Sequence, residues 1–282
     1  MKNDANRYLM NRLDRFYQKA CSVIPVLFFP LVPVSCEKGI SENEVTPPGP
    51  ALSETAFRFD RYSGTTVRSQ EQAESLIVSR YGNAPTRGEI APNLPMIAAK
   101  TENTTRLHDI ITDKPAVVIL GSCSCSQVDL YYEDFKRLSA QYRDHFDFHF
   151  IYIREAHAEG GFLPRMERNG QPLNLKPLPD AMTLQNRKKQ AGTLPSQLGD
   201  QFQIWVDSMD DEWAVRWSAW PGRAFVVGTD KKVIYCGGPG PFYFHVSKEG
   251  WHQPPPEFLE TLFRRAPFDD FSLEEFLEES SR

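Results

Sequence analysis

The chain has 282 residues, 40% of them apolar and 24% charged, enough for one domain of ordinary size with extensions around a buried core. A formal net charge of −5, with no basic stripe interleaved with aromatics, excludes nucleic acid as an expected partner. Five unevenly spread cysteines exclude a disulfide scaffold, and the absence of CxxC pairs or an HExxH run leaves no zinc site to expect.

Residues 1–20 carry five basic and two acidic side chains and precede the apolar run Cys21–Val34, the order of a secretory or anchoring signal. Pro25, Pro30 and Pro33 interrupt that run, which is shorter than the ~20 residues of a spanning helix, and Ser35-Cys36 makes a poor lipobox. Residues 1–36 are therefore read as a signal or interfacial anchor, with membrane association through residues 21–34 or export favoured over a cytoplasmic location. The stretch 37–55, rich in Pro, Glu, Ser and Gly, reads as a linker, and the segment 37–85 closes on a short helix at 69–81 capped by Ser69.

From Gly88 the pattern changes to alternating strands and helices, and a domain is expected over 86–252. Ala116–Leu120, an unbroken apolar run entered through Pro115, predicts a parallel strand covered on both faces. A helix follows from Gln127 to Tyr142, with Val128, Tyr131, Phe135, Leu138 and Tyr142 on one face. Phe148–Ile153 is the next strand. Beyond a loop holding Gly160, Gly161, Pro164 and Gly170 come a polar helix over 181–191, a strand at Gln203–Val206 and a helix over 211–219. Ala224–Val227 and Lys232–Tyr235 then pair across a turn. Strand, helix, strand, helix and hairpin in this order give an α/β thioredoxin-like fold, a mixed central sheet flanked by helices. Residues 253–282 are acidic, with Phe258, Leu259, Leu262, Phe263, Phe271, Leu273, Phe276 and Leu277 at helical spacings, and read as a helical extension packed on the domain.

The chemistry-bearing segment is Gly121-Ser122-Cys123-Ser124-Cys125-Ser126, set between a buried strand and a helix. Backbone N–H groups at such a junction favour an anion, so a thiol there is expected to have a lowered pKa. Cys125, nearest the helix start, is the candidate nucleophile. Cys123 is the candidate resolving thiol, although a disulfide across one residue is strained. Cys21, Cys36 and Cys236 stand alone and read as ordinary thiols. Glu155 and His157, at i and i+2 after the next strand, are expected to point to one side, toward this loop. Asp207, Asp210 and Asp211 read as charges at a helix N-terminus. His108, His145, His149, His245 and His252 read as structural.

The run KPAVVILGSCSCS resembles the active-site segment of iodothyronine deiodinases, with Cys125 at the selenocysteine position. Similar blocks follow in order: YIREAH at 152–157, VDSMDD at 206–211, WPGR at 220–223 and YCGGPGP at 235–241, with no gap between Asp207 and Arg223. The resemblance implies reductive removal of iodine from a thyroxine-like iodophenol by the Cys125 thiolate. It also implies a proton relay through Glu155 and His157, and a substrate-binding role for Arg223, either on the substrate carboxylate or on a catalytic carbonyl. It implies no bound cofactor and an external thiol reductant such as thioredoxin, glutathione or dithiothreitol, and leaves homodimer formation open. Two departures stand out: residues 158–200 lack the family's second histidine, and Ser126-Gln127 replaces the Pro-Pro that often follows the selenocysteine. A general thiol-disulfide or peroxide reductase, or an inactive redox-fold binding module, are the alternative readings.

Overall fold

The computed structural model describes residues 66–164, 167–168, 171–172, 175–194, 198–249, 257–264 and 266–282. The expected signal or anchor, the 37–55 linker, Cys21, Cys36 and His252 lie outside the described residues. In chain order the elements are α1 (Gln70–Arg80), β1 (Pro95–Ala98), β2 (Thr104–Arg106), α2 (Leu107–Ile110), β3 (Ala116–Gly121), α3 (Ser126–Leu130), α4 (Tyr132–Tyr142) and β4 (Asp147–Tyr152). They continue with β5 (Glu167–Arg168), β6 (Gln171–Pro172), α5 (Leu184–Ala191), β7 (Phe202–Val206), α6 (Glu212–Arg216), β8 (Arg223–Val227), β9 (Val233–Cys236), α7 (Glu257–Phe263) and α8 (Leu273–Ser280).

Every residue of β3 is buried, as its apolar sequence requires, and it lies inside a seven-stranded sheet ordered β2-β1-β7-β4-β3-β8-β9, next to the central strand β4. β3 runs parallel to β4, β4 parallel to β7, and β8 returns antiparallel to β3 before turning into β9. The unit β3-α3-α4-β4, followed by α6-β8-β9 and the closing helix α8, is the thioredoxin-like arrangement. The pair α5-β7 is inserted between its halves, and the short antiparallel pair β1-β2 extends one edge. The sequence did not announce β1 and β2, whose four and three residues carry too little periodicity to stand out.

Alternation along the strands builds two cores. Val117, Ile119, Phe148, Phe150, Ala224 and Val226 face α3, α4, α5 and α8. Ala116, Val118, Leu120, Ile151, Phe225 and Val227 face α1, α2, α6 and α7, where Trp213 and Trp217 stack at 5.4 Å. Each face is closed by aromatic packing and would lose about 2–5 kcal/mol for each large side chain truncated there. Ser69 caps α1 by accepting from the Gln72 N–H, as expected. The expected 127–142 helix is broken at Tyr131, whose φ of −106° and ψ of 9° leave the helical region and separate α3 from α4.

Among the described residues, no helix is long and apolar enough to cross a membrane, and no group of three or more His, Cys, Asp or Glu is gathered to hold a metal ion.

Candidate active site

The β3 strand delivers the cysteine loop to the carboxyl end of the parallel strands, where open α/β sheets place their sites. Cys125 is the N-cap residue of α3: its carbonyl accepts the Asp129 N–H at 3.0 Å, and its sulfur makes no capping hydrogen bond, although the N–H groups of Gln127 and Val128 act to lower its pKa. Gly222 lies directly against it. A Cβ added there would meet the Cys125 sulfur at 3.5 Å, and the preceding Trp220-Pro221 bond is cis. The Gly222 carbonyl accepts the Gly240 N–H at 3.0 Å, and a Cβ on Gly240 would reach that same oxygen at 2.8 Å, so the YCGGPGP turn needs a glycine there to close behind the site.

The expectation of an acidic thiol at Cys125 is corrected. The residue is 1% exposed, and burial pushes its thiol up to about 12 despite those two N–H groups, with Glu155 and Asp129 adding to the shift. Cys123 is pushed to a similar value, first by burial, with Thr193 opposing and Glu155 adding. Its sulfur lies 3.4 Å from the Thr193 hydroxyl and 3.7 Å from the Gln190 carbonyl, so the inserted α5 closes over it. Both thiols, and Cys236, are unpaired.

Glu155 and His157 follow β4 instead of ending it, because the strand stops at Tyr152. They nevertheless meet the cysteine loop. The Ser124 N–H donates to Glu155 Oε2 at 2.8 Å, the Ala156 N–H donates to Ser122 Oγ at 3.0 Å, and the His157 N–H donates to Ser124 Oγ at 2.9 Å. The alternating serines of SCSCS, which the sequence offered only as small neighbours of the cysteines, are thus the clasp between the two loops. Glu155 is 4% exposed, and burial raises its carboxyl pKa even though Ser124 and Ser122 hydrogen-bond to it. Its second oxygen, Oε1, is buried without a partner.

His157 is not oriented by Glu155. Its Nδ1 lies 3.0 Å from the Phe162 carbonyl, which can only accept, so Nδ1 carries the hydrogen and Nε2 keeps its lone pair. Burial lowers the imidazole pKa, the Phe162 carbonyl opposing, and the ring is neutral at pH 7.

Arg223 is buried, with its donors turned to backbone carbonyls. As the first residue of β8 it alternates with Ala224, so it points to the face opposite α3. It is 2% exposed, with Nε donating to the Gly237 carbonyl at 2.8 Å, Nη1 to the Ser218 carbonyl at 3.5 Å and Nη2 to the Cys236 sulfur at 3.6 Å. Its guanidinium also lies 5.1 Å from the Phe225 ring centroid. Asp207 serves the end of α6 as expected, accepting the Trp213 and Ala214 N–H groups at 3.0 and 3.1 Å, while Asp211 pairs with Arg187 at 2.8 Å.

Residues 72–251 match the family model described as iodothyronine deiodinase. The chain is 28% identical to the thyroxine 5-deiodinase of Sparus aurata over 162 residues, 57% of each chain, and 28% identical to that of Gallus gallus over 57% of this chain and 59% of the relative. The match thus spans less than two thirds of these relatives' length. Among solved structures, an uncharacterised conserved protein from Geobacillus kaustophilus matches with a TM-score of 0.43 at 17% identity, over 66% of this chain and 87% of that one.

Proposed function

The chain belongs to the iodothyronine deiodinase family, and from that premise we propose that it is a thiol-dependent oxidoreductase that removes iodine from thyroxine-like iodophenols through Cys125. The observation that carries this reading is the seat of Cys125: an N-cap thiol at the start of α3, flanked by Gly222, in a loop clasped to Glu155 and His157. In this reading His157 Nε2 takes the phenol proton while a ring carbon gains one from solvent, giving the keto tautomer. Cys125 gives its thiol proton to solvent, and the thiolate so formed takes the iodine as a positive equivalent. The electrons of the carbon–iodine bond return to the ring oxygen, which recovers its proton from His157. Cys123, or an external thiol, attacks the resulting sulfenyl iodide, the S–I bond breaks, and iodide leaves.

No cofactor is bound in this scheme: thioredoxin, glutathione or dithiothreitol supplies the electrons that reopen the disulfide. We also propose membrane association or export through residues 21–34, and leave a homodimer to be tested by size. The test of function is iodide release from thyroxine with dithiothreitol, run beside insulin and hydrogen peroxide reduction. Iodide release that vanishes in Cys125→Ser supports the reading.

A second reading, a general thiol-disulfide or peroxide reductase, is favoured by one observation. The donors of Arg223, the residue that the resemblance would place on the substrate carboxylate or on a catalytic carbonyl, are committed to backbone carbonyls, and residues 158–200 contain no histidine. Ready peroxide reduction without iodide release would select it.

A further inference from the structure

The end of α5 brings two oxygens to the Cys123 sulfur. The Thr193 hydroxyl lies 3.4 Å from it and the Gln190 carbonyl 3.7 Å, and the same hydroxyl donates to that carbonyl at 2.7 Å. A hydroxyl carries one hydrogen and a thiol one, while a carbonyl can only accept. With the Thr193 hydrogen on Gln190, the thiol proton bonds to Thr193 Oγ1 or to the carbonyl. A thiolate has no proton to give and needs a donor, and of the two oxygens only the hydroxyl can change from accepting to donating. That change leaves the turn intact. The Gln190 carbonyl keeps the Thr193 N–H, which donates to it at 3.0 Å, and Ala191 and Leu194 on either side are both 0% exposed and fix the backbone. The Gln190 side chain adds a tie, its Nε2 donating to the Pro179 carbonyl at 2.6 Å. Thr193 itself is exposed, so its hydroxyl turns without disturbing a packed core.

We propose that the Thr193 hydroxyl is the donor that stabilises the Cys123 thiolate: it accepts from the thiol in the resting chain, then releases the Gln190 carbonyl and donates to the sulfur once the thiol proton has left to solvent. No covalent bond of Thr193 forms or breaks. Burial and the Glu155 carboxylate oppose this ionisation, and Thr193 is the side chain that works against them. The use of the thiolate, attack on oxidised Cys125, rests on the resolving role given to Cys123 above, because the thiolate is the nucleophile. The hydrogen-bond exchange itself depends on no substrate.

The test uses the reduced full-length chain and no iodothyronine. Cys123 is alkylated with iodoacetamide at about pH 8, where the thiolate fraction limits the rate, and its labelling is followed by peptide mass in the wild type, Thr193→Val and Thr193→Ser. Valine keeps the β-branched shape and loses the hydroxyl. Losing one hydrogen bond to a charged group should leave roughly ten- to a hundredfold less thiolate. A thiol of higher pKa is the better nucleophile, which returns about half of that loss on a logarithmic scale, so labelling in Thr193→Val should slow about three- to tenfold. Thr193→Ser keeps the hydroxyl and should label near the wild-type rate. A merely covering role has the opposite sign: if α5 only shields the sulfur, Thr193→Val labels as fast as wild type or faster, and that result overturns the proposal. Equal slowing in Thr193→Ser overturns it as well. The resolving role is read separately, by treating the chain with hydrogen peroxide and following closure of the Cys123–Cys125 disulfide. Slowed labelling in Thr193→Val alone, beside a wild type that forms no such disulfide, upholds the hydroxyl's role and removes Cys123 from the scheme above, so the two failures give different results.

Discussion

Burial sets the chemistry of both thiols. With Cys123 and Cys125 each pushed up to about 12, the resting chain holds thiols, not thiolates, at pH 7. Alkylation by iodoacetamide should then quicken about tenfold per pH unit between 7 and 10, and the half-buried Cys123 should be labelled before Cys125, which is 1% exposed. Peptide mapping after graded labelling checks this, and prior labelling of Cys125 at mildly acidic pH would mean that the site opens readily. His157 carries the companion prediction. Its neutral Nε2 is the free atom, so His157→Ala should lower the single-turnover rate by about 10²–10⁴. Wild-type activity should fall on the acid side, below the ordinary histidine range, because the imidazole pKa is lowered and only the neutral ring can accept a proton. An acid limb above pH 6.5 would contradict that protonation state. Arg223 makes the contrast: its donors hold Gly237 and Ser218, so Arg223→Ala should depress stability and turnover of thyroxine, a tail-less iodophenol and peroxide alike. A loss confined to thyroxine would restore the carboxylate role.

Between β7 and α6, one carboxylate joins two elements. Asp207 follows β7, donates its N–H to the Tyr152 carbonyl at 2.9 Å, and accepts two N–H groups from α6. Burial, then Asp211, raises its pKa well above the usual 3.8, with Arg187 opposing. A raised carboxyl stabilises the fold below its unfolded pKa, and that contribution is lost as pH rises through the folded one. Asp207→Asn cannot accept both N–H groups and should cost about 1–3 kcal/mol, with the larger gap to wild type near pH 5 than near pH 7.5. Urea unfolding at the two pH values measures it, and a gap that widens upward would reverse the assignment. This capping role was legible in the run VDSMDD, as was the sulfur-bearing turn after AVVIL. The β1-β2 edge was not, and neither was the face on which Arg223 falls. Its alternation with Ala224 was in the sequence, but which face α3 covers is decided only when β8 pairs with β3 in register, Leu120 opposite Arg223. The clasp by Ser122 and Ser124 was hidden for the same reason, since it exists only between loops brought together by adjacent parallel strands.

At the scale of the molecule, the chain's last helix decides whether residues 253–282 are an extension or part of the cooperative unit. α8 begins with a reciprocal cap between Ser272 and Glu275, and it buries Leu273, Phe276 and Leu277 in the core shared with Val128 and Tyr131 beside the cysteine loop. Further ties run from the Tyr235 hydroxyl to the Phe271 carbonyl at 3.0 Å, and from the Leu273 and Glu274 N–H groups to His245 and Val246. Leu277 is fully buried, so Leu277→Ala should cost about 2–5 kcal/mol. The informative comparison is between probes. The stacked Trp213 and Trp217 lie on the opposite face of the sheet, remote in the fold from α8, and report the other core. If the two cores melt as one, tryptophan fluorescence and far-ultraviolet circular dichroism should shift to the same lower midpoint in Leu277→Ala. If α8 only rests on the domain, the dichroism should change while the fluorescence midpoint stays at the wild-type value. Coincident shifts would also mean that the cysteine site, whose helix packs in the α8 core, cannot be kept intact by a chain truncated before residue 267.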